Sequence, residues 1–269
     1  VSSVLHDFWI TTEPRIPVQH ITTELVGTGE PVLDGNIRWT ARIDYTDWGR
    51  SDRIETSGTS SSLNFDVDFG PNLVLGGQFA LRCVIPVRYS DGSTQTTEAT
   101  AYCRVTGRNP SKDEIRRYLG TLPLQVTAYH ESKFRQFVPQ TGLPYVKNGE
   151  NGIDVGIMQI NKPIPYNEFW HWKRNVKEGK LRYASAQRKA GEYPATLRRN
   201  FPQVTDFSPH QLQMETFNRY NRGASTKYPY WVWDEASNAW QRKWNYVTYA
   251  DTSWDYLERV KTGNPPADW

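Results

Sequence analysis

An antiparallel β domain followed by a mainly helical domain is the fold class that this 269-residue sequence predicts. Three observations point to it. Hydrophobic residues alternate with a period of two over residues 1–108, helix caps and helical spacing take over from residue 109, and the charge balance changes at the same place. Residues 1–108 hold nine Arg, no Lys and 13 acidic residues, a net −4, whereas residues 109–269 hold 23 basic and 16 acidic residues, a net +7. The joint is Arg108-Asn109-Pro110.

In the first half, alternation is clear in Asn36 to Tyr45 and in Leu63 to Phe69, each bounded by turn-forming residues. The strongest hairpin joins Gln78–Tyr89 to Thr96–Val105 around Asp91-Gly92. Phe79, Leu81, Cys83, Ile85 and Val87 make one face of it. If the loop runs from about Asp91 to Gln95, Cys83 and Cys103 stand opposite each other, and Cβ atoms of such a pair approach to about 4.5–5.5 Å. Either a cross-strand disulfide or two reduced thiols on the core face satisfies that spacing. Several short strands of this kind predict a sandwich of immunoglobulin-like architecture. The Cys spacing is too short for the inter-sheet bond of antibody domains, so the likeness is one of architecture only.

The second half changes grammar. Ser111-Lys112-Asp113-Glu114 is a capping box, Pro123 suits a first helical turn, and Ser208-Pro209-His210-Gln211 is a second cap. The expected helices run from about Lys112 to Leu119, Pro123 to Phe134, Tyr166 to Ala190, Pro209 to Tyr220 and Thr252 to Lys261, with Gly223 as a stop signal for the fourth. On the second of these, Leu124, Ala128 and Glu131 share a stripe, which sets a carboxylate on the face expected to meet the core. Burial raises a carboxyl's pKa and makes it a candidate general acid. A Glu at a solvated helix end would need no such role.

Composition removes several classes of function. The chain is 37% hydrophobic with 11 Trp and 15 Tyr, enough to fill cores and too much for a disordered tail. No apolar run approaches the ~20 residues of a membrane span. His130-Glu131 opens like a zinc-protease helix, but Phe134 stands where the second His is needed. Walker, Rossmann and G-x-S-x-G signatures are missing, and no cofactor is expected. The sequence opens at Val1 without a leader pattern, so it reads as a mature product or a piece of something longer.

Three short motifs carry a family resemblance. Glu131-Ser132-Lys133-Phe134, then Gly156-Ile157-Met158-Gln159-Ile160-Asn161, then Arg219-Tyr220-Asn221-Arg222-Gly223 resemble, in order, the Glu-Ser, Gly-Leu-Met-Gln and Ala-Tyr-Asn-Ala-Gly motifs of the lysozyme-like lytic transglycosylases. The resemblance covers about Ser111 to Val260. It implies a lysozyme-like helical domain that cuts peptidoglycan between N-acetylmuramic acid and N-acetylglucosamine without a cofactor or metal. Glu131 would be the general acid/base, and Ser132, Met158 and Gln159 would serve the glycan cleft. Tyr220 and Asn221 would close the site.

Asp154 departs from many transglycosylases, which have a small residue there. Asp154-Val155-Gly156-Ile157-Met158-Gln159-Ile160-Asn161 resembles the run in animal lysozymes whose Asp is the second catalytic carboxylate, and also that of transglycosylases of secretion systems. Asp154 would then stabilise positive charge on the sugar or attack its anomeric carbon. Its other reading is a turn residue in Asn151-Gly152-Ile153-Asp154. Tyr220-Asn221 favours a 1,6-anhydro product and Asp154 favours hydrolysis.

Partners follow from this arrangement. The expected ligand is the peptidoglycan glycan strand, reached in the periplasm or cell wall by secretion or delivery. The chain would act as an antibacterial effector or a phage lysin, with an immunity protein or a delivery machine as partner. The aromatic-rich stretch from Tyr228 to Tyr256 could serve as core, as glycan contact or as a stacking surface for bases; without a nucleic-acid motif beside it, no nucleic-acid partner is expected. A competing class is a non-catalytic wall-binding or structural module of a phage tail or secretion machine.

Overall fold

The computed structural model describes residues 5–149, 152–161, 169–222 and 228–269. The chain forms two compact units. The first takes Val1–Pro110, Arg135–Gly156 and Asn161–Arg174; the second takes Ser111–Phe134, Ile157–Ile160 and Asn175–Trp269.

In the first unit the chain lays down β1 (Phe8–Ile10), β2 (Gln19–Thr22), β3 (Val32–Leu33), β4 (Ile37–Asp47), β5 (Arg50–Ser60), β6 (Asn64–Val67), β7 (Gly77–Arg88) and β8 (Thr94–Gly107). One sheet of six strands runs β1-β8-β7-β4-β5, with β3 also on β7, while β2 and β6 pair separately. Alternation explains the strands: Ile37, Ala41, Ile43 and Tyr45 of β4 are buried while Arg38 and Arg42 are exposed. Trp39 of β4 stacks on Phe65 of β6 at 5.9 Å and 12°. Later segments complete the unit. Asn109 is the anchor: its Oδ1 accepts from the Gln136 and Phe137 amides, and its Nδ2 donates to the Phe137 carbonyl, each at 2.8 Å. Trp170, fully buried, meets Tyr45 edge-on at 5.3 Å. It lies so close to Gly76 that a Cβ there would be 2.1 Å from its ring.

The hairpin β7–β8 forms in a different register from the expected one. Asp91 Oδ1 accepts from the Ser93 amide at 2.9 Å and from its hydroxyl at 2.6 Å, Gly92 takes φ 84°, and the turn closes by Ser93. Cys83 therefore faces Ala99, and Cys103 faces Phe79. The shift is an even number of residues, so the core face is preserved while the two thiols are separated along the ladder. The expected Cys83–Cys103 disulfide does not form, and both cysteines are free. Burial pushes each thiol up to about 11, the carboxylate of Asp7 adding to the effect at Cys103.

The second unit contains α1 (Lys112–Leu119), α2 (Leu122–Ser132), the greater part of α3 (Trp172–Leu197), α4 (Pro209–Arg222) and α5 (Tyr249–Lys261). Ser111 and Glu114 make the expected capping box, and Pro123 sits in the first turn of α2. Thr248 and Asp251 form a second box, so α5 starts at Tyr249, earlier than its hydrophobic spacing suggests. The core is Val126, Tyr183, Met214, Phe217, Tyr230, Ala250 and Leu257. The expected start of the third helix at Tyr166, the turn residue Asn151 and the stop residue Gly223 lie outside the described residues.

The predicted fold class is corrected on two counts. The protein is 29% helix and 32% strand, and the second half is not the mainly α-helical lysozyme-like domain expected of it. Two hairpins account for much of the difference: β9 (Val146–Gly149) with β10 (Gly152–Val155), and β11 (Trp231–Asp234) with β12 (Ala239–Arg242). The six-stranded sheet is mixed rather than antiparallel, because β1 runs parallel to β8 with Phe8 opposite Val105.

Candidate functional site

Glu131 occupies the last turn of α2, which Lys133 and Phe134 end by taking left-handed φ values of 58° and 63°. A negative charge at a helix C-terminus works against the macrodipole, typically by about 0.3–1 kcal/mol. The carboxyl is half-buried. Tyr249 answers it from the start of α5, where its hydroxyl donates to Glu131 Oε1 at 2.8 Å. Burial and the neighbouring Glu131 hold the Tyr249 phenol well above its ordinary pKa, so it remains a donor.

The Tyr249 ring is held as firmly as its hydroxyl. His130 stacks on it at 4.1 Å with the planes 6° apart, and His130 Nδ1 lies 2.8 Å from Ser253 Oγ. Tyr256 meets His130 edge-on at 5.5 Å. Tyr249, Ser253 and Tyr256 recur at i, i+4 and i+7, so one stripe of α5 grips the end of α2. From another side, Trp269 packs on Tyr129 and Phe134 at 5.2 and 5.4 Å, and the Tyr129 hydroxyl donates to Asp268.

Residues 156–159 form a turn, and Ile157–Ile160 belong to the same unit. Ser132 Oγ donates to the Ile157 carbonyl at 2.9 Å, the Met158 amide donates to Asn175 Oδ1 at 2.9 Å, and Tyr220 Oη donates to the Met158 carbonyl at 2.8 Å. Tyr220 also lies near enough to Tyr249 to raise its pKa further. The structure thus brings Glu131, Ser132, the Met158 segment and Tyr220 into one constellation, with Tyr249 as the link.

Other expected roles change. Met158 is fully buried and its side chain lies against Gly179, where a Cβ would come within 2.3 Å of Met158 Cγ. It holds the turn and presents only backbone, so it does not line a cleft. Gln159 is 8% exposed with φ 46°, and Asn221 is exposed on the last turn of α4. Asp154 belongs to the first unit, half-buried on β10 opposite Lys147.

Sequence reasoning missed Tyr249, His130 and Asn175. The signal for Tyr249 was present in Thr248-Tyr249-Ala250-Asp251, a capping box that places Tyr249 on the first turn. It also missed the ion pair of Glu215 and Arg219 inside α4, at 2.7 Å with side chains 0% and 1% exposed. Glu215 Oε2 accepts from the amides of Tyr230 and Trp231 at 2.8 and 3.2 Å, and the Arg219 guanidinium lies over the Tyr193 ring at 5.1 Å. Burial pushes the Glu215 carboxyl up and Arg219 beside it opposes that shift.

Among the described residues no group of three or more His, Cys, Asp or Glu could hold a metal ion, and no helix is long and apolar enough to cross a membrane. Compared with families of known proteins, with curated proteins and with solved structures, the chain matches none.

Proposed function

We propose that this protein cleaves peptidoglycan glycan strands between N-acetylmuramic acid and N-acetylglucosamine, with Glu131 as the proton donor. The observation that carries this reading is the hydrogen bond from a tyrosine that stays protonated, Tyr249, to Glu131 Oε1 at 2.8 Å. A carboxyl meant only for a solvated helix end gains nothing from a buried phenol that fixes its orientation. The choice of substrate rests on the three motifs, whose residues Glu131, Ser132, Met158 and Tyr220 are brought together by direct contacts or through Tyr249.

In this reading the Glu131 carboxyl gives its proton to the bridging glycosidic oxygen as the C1–O bond breaks and positive charge develops on the muramoyl ring. The resulting carboxylate then takes a proton either from water, which completes a hydrolysis, or from the sugar's own 6-hydroxyl, which closes a 1,6-anhydro ring. Asp154 belongs to the other compact unit and is given no part in this step. Delivery to a periplasm or cell wall, and an immunity partner in the producing cell, are part of the same proposal.

Digesting purified sacculi and weighing the muropeptides tests it. Anhydro ends, lighter by one water than hydrolytic ends, identify a transglycosylase, and reducing ends identify a muramidase. Sacculi that bind the chain and remain uncut point to the wall-binding class instead.

A further inference from the structure

The first unit carries a cleft of about 840 Å³ that the Glu131 chemistry does not use. It lies where the end of β4, the start of β7 and the end of β8 run side by side and the segment from Gln140 to Leu143 passes over Thr106. That segment is pinned, since the Gly107 amide donates to the Gly142 carbonyl at 2.7 Å and a Cβ on Gly142 would come within 2.6 Å of Thr106. The cleft is therefore built into the fold. Its volume falls in the range of about 300–1,000 Å³ that houses small ligands, and its lining is about as polar as apolar where most such pockets are mainly apolar.

What lines it is a mixture of donors and acceptors. Gln78 and Arg104 are register partners across β7 and β8, and Tyr102, two residues along β8, presents a ring that is 59% exposed. Among the described residues the side-chain amides of Gln78 and Gln140, the Arg104 guanidinium and the Tyr102 hydroxyl have no hydrogen-bond partner in the protein. Asp7 and Asp47 each accept with one oxygen, from the amides of Arg104 and Trp48, and among the described residues the other oxygen accepts from no protein group.

Amides that both give and accept, carboxylates that accept, and a flat aromatic face are what a polyhydroxylated ring requires. Each sugar hydroxyl is at once donor and acceptor, and the C–H face of a pyranose packs on a π-face. Among the described residues Asp7, Asp44 and Asp47 line it against one cation, Arg104, and Asp44 is already paired with Arg42 and Arg53, so the lining offers no positive field to draw in a polyanion.

We propose that this cleft binds a neutral oligosaccharide, with Tyr102 as the stacking platform and Gln78, Gln140, Asp7 and Asp47 as hydroxyl partners. Such a site would hold the chain on a glycan independently of cleavage, and the proposal stands whether or not Glu131 cuts anything.

Titrating the full chain carrying Glu131→Gln with the β-1,4-linked tetramer of N-acetylglucosamine, and following backbone amide shifts, tests it directly. The amides of Gln78, Arg104 and Gln140 are expected to move together, and Tyr102→Ala and Gln78→Ala each to weaken that response about tenfold. Both side chains are exposed, so each variant keeps the parent's amide spectrum elsewhere. No movement at these amides up to millimolar tetramer overturns the proposal. So does movement confined to the second unit, or a response to the polyamine spermidine but not to the sugar. The cleavage reading fails separately, by uncut sacculi with the unsubstituted chain.

Discussion

The Tyr249 hydroxyl and the Glu131 carboxyl form the smallest unit on which the account depends. As Glu131 gives up its proton the carboxyl gains charge, and a hydrogen bond to a charged group is worth about 1.5–3 kcal/mol. Tyr249→Phe is therefore expected to slow glycan release by about 10- to 150-fold while leaving the ring stack with His130 and the unfolding midpoint nearly unchanged. Steady-state release of soluble muropeptide against thermal unfolding separates these effects. A large loss of stability with it would make Tyr249 a packing residue only. The Glu215–Arg219 pair is the opposite case, because it is buried and remote from solvent. Removing one partner of such a pair costs about 3–5 kcal/mol because a charge is left alone, so Glu215→Gln is expected to destabilise the second unit by that amount. Replacing both, as Glu215→Gln with Arg219→Met, is expected to recover part of it, which denaturant melts would show as a non-additive double-mutant cycle.

At the scale of elements, caps were legible and pairings were not. Ser111 with Glu114 announces α1 because a capping box is local chemistry, satisfied within four residues. Register is a property of two strands, and the β7–β8 ladder was decided by how Asp91 and Ser93 close the turn, which separated Cys83 from Cys103. The β11–β12 hairpin was hidden for a different reason. The stretch from Tyr228 to Tyr256 reads only as core, glycan contact or stacking surface, and with Tyr230, Trp231, Val232 and Trp233 all apolar in a row it shows no alternation that would mark a strand. His171, just ahead of α3, gives an element-scale test. Burial, then Arg174 and Lys173, hold its imidazole down to about 4, below its ordinary 6.5, while Glu13 opposes them. Below the unfolded value the unfolded chain binds more protons, so stability falls as pH drops from 6.5 toward about 4. Denaturant midpoints are expected to decline between about pH 7 and about pH 5, and His171→Asn to flatten that slope.

Over the whole molecule, composition divides a chain linearly, whereas the compact units are interleaved: Arg135–Gly156 and Asn161–Arg174 belong with the first and Ile157–Ile160 with the second. No count of charges reveals a chain that returns, since the return is enforced by long-range contacts such as Asn109 with Phe137 and Trp170 against Gly76. Short local motifs picked out Glu131, Ser132 and Tyr220 of the candidate site, whereas Asp154 lies in the other unit and the Met158 side chain turns into the interior. What the motifs lacked was Tyr249, brought to Glu131 across 118 residues of sequence. In the proposed mechanism the Glu131 proton breaks a glycosidic bond. The most direct measurement is the release of soluble fragments from purified sacculi by the parent chain and by Glu131→Gln, at matched unfolding temperatures. Release by the parent and a loss of about 100-fold or more in the variant are expected. Equal release by both, or none by a folded parent, would contradict it.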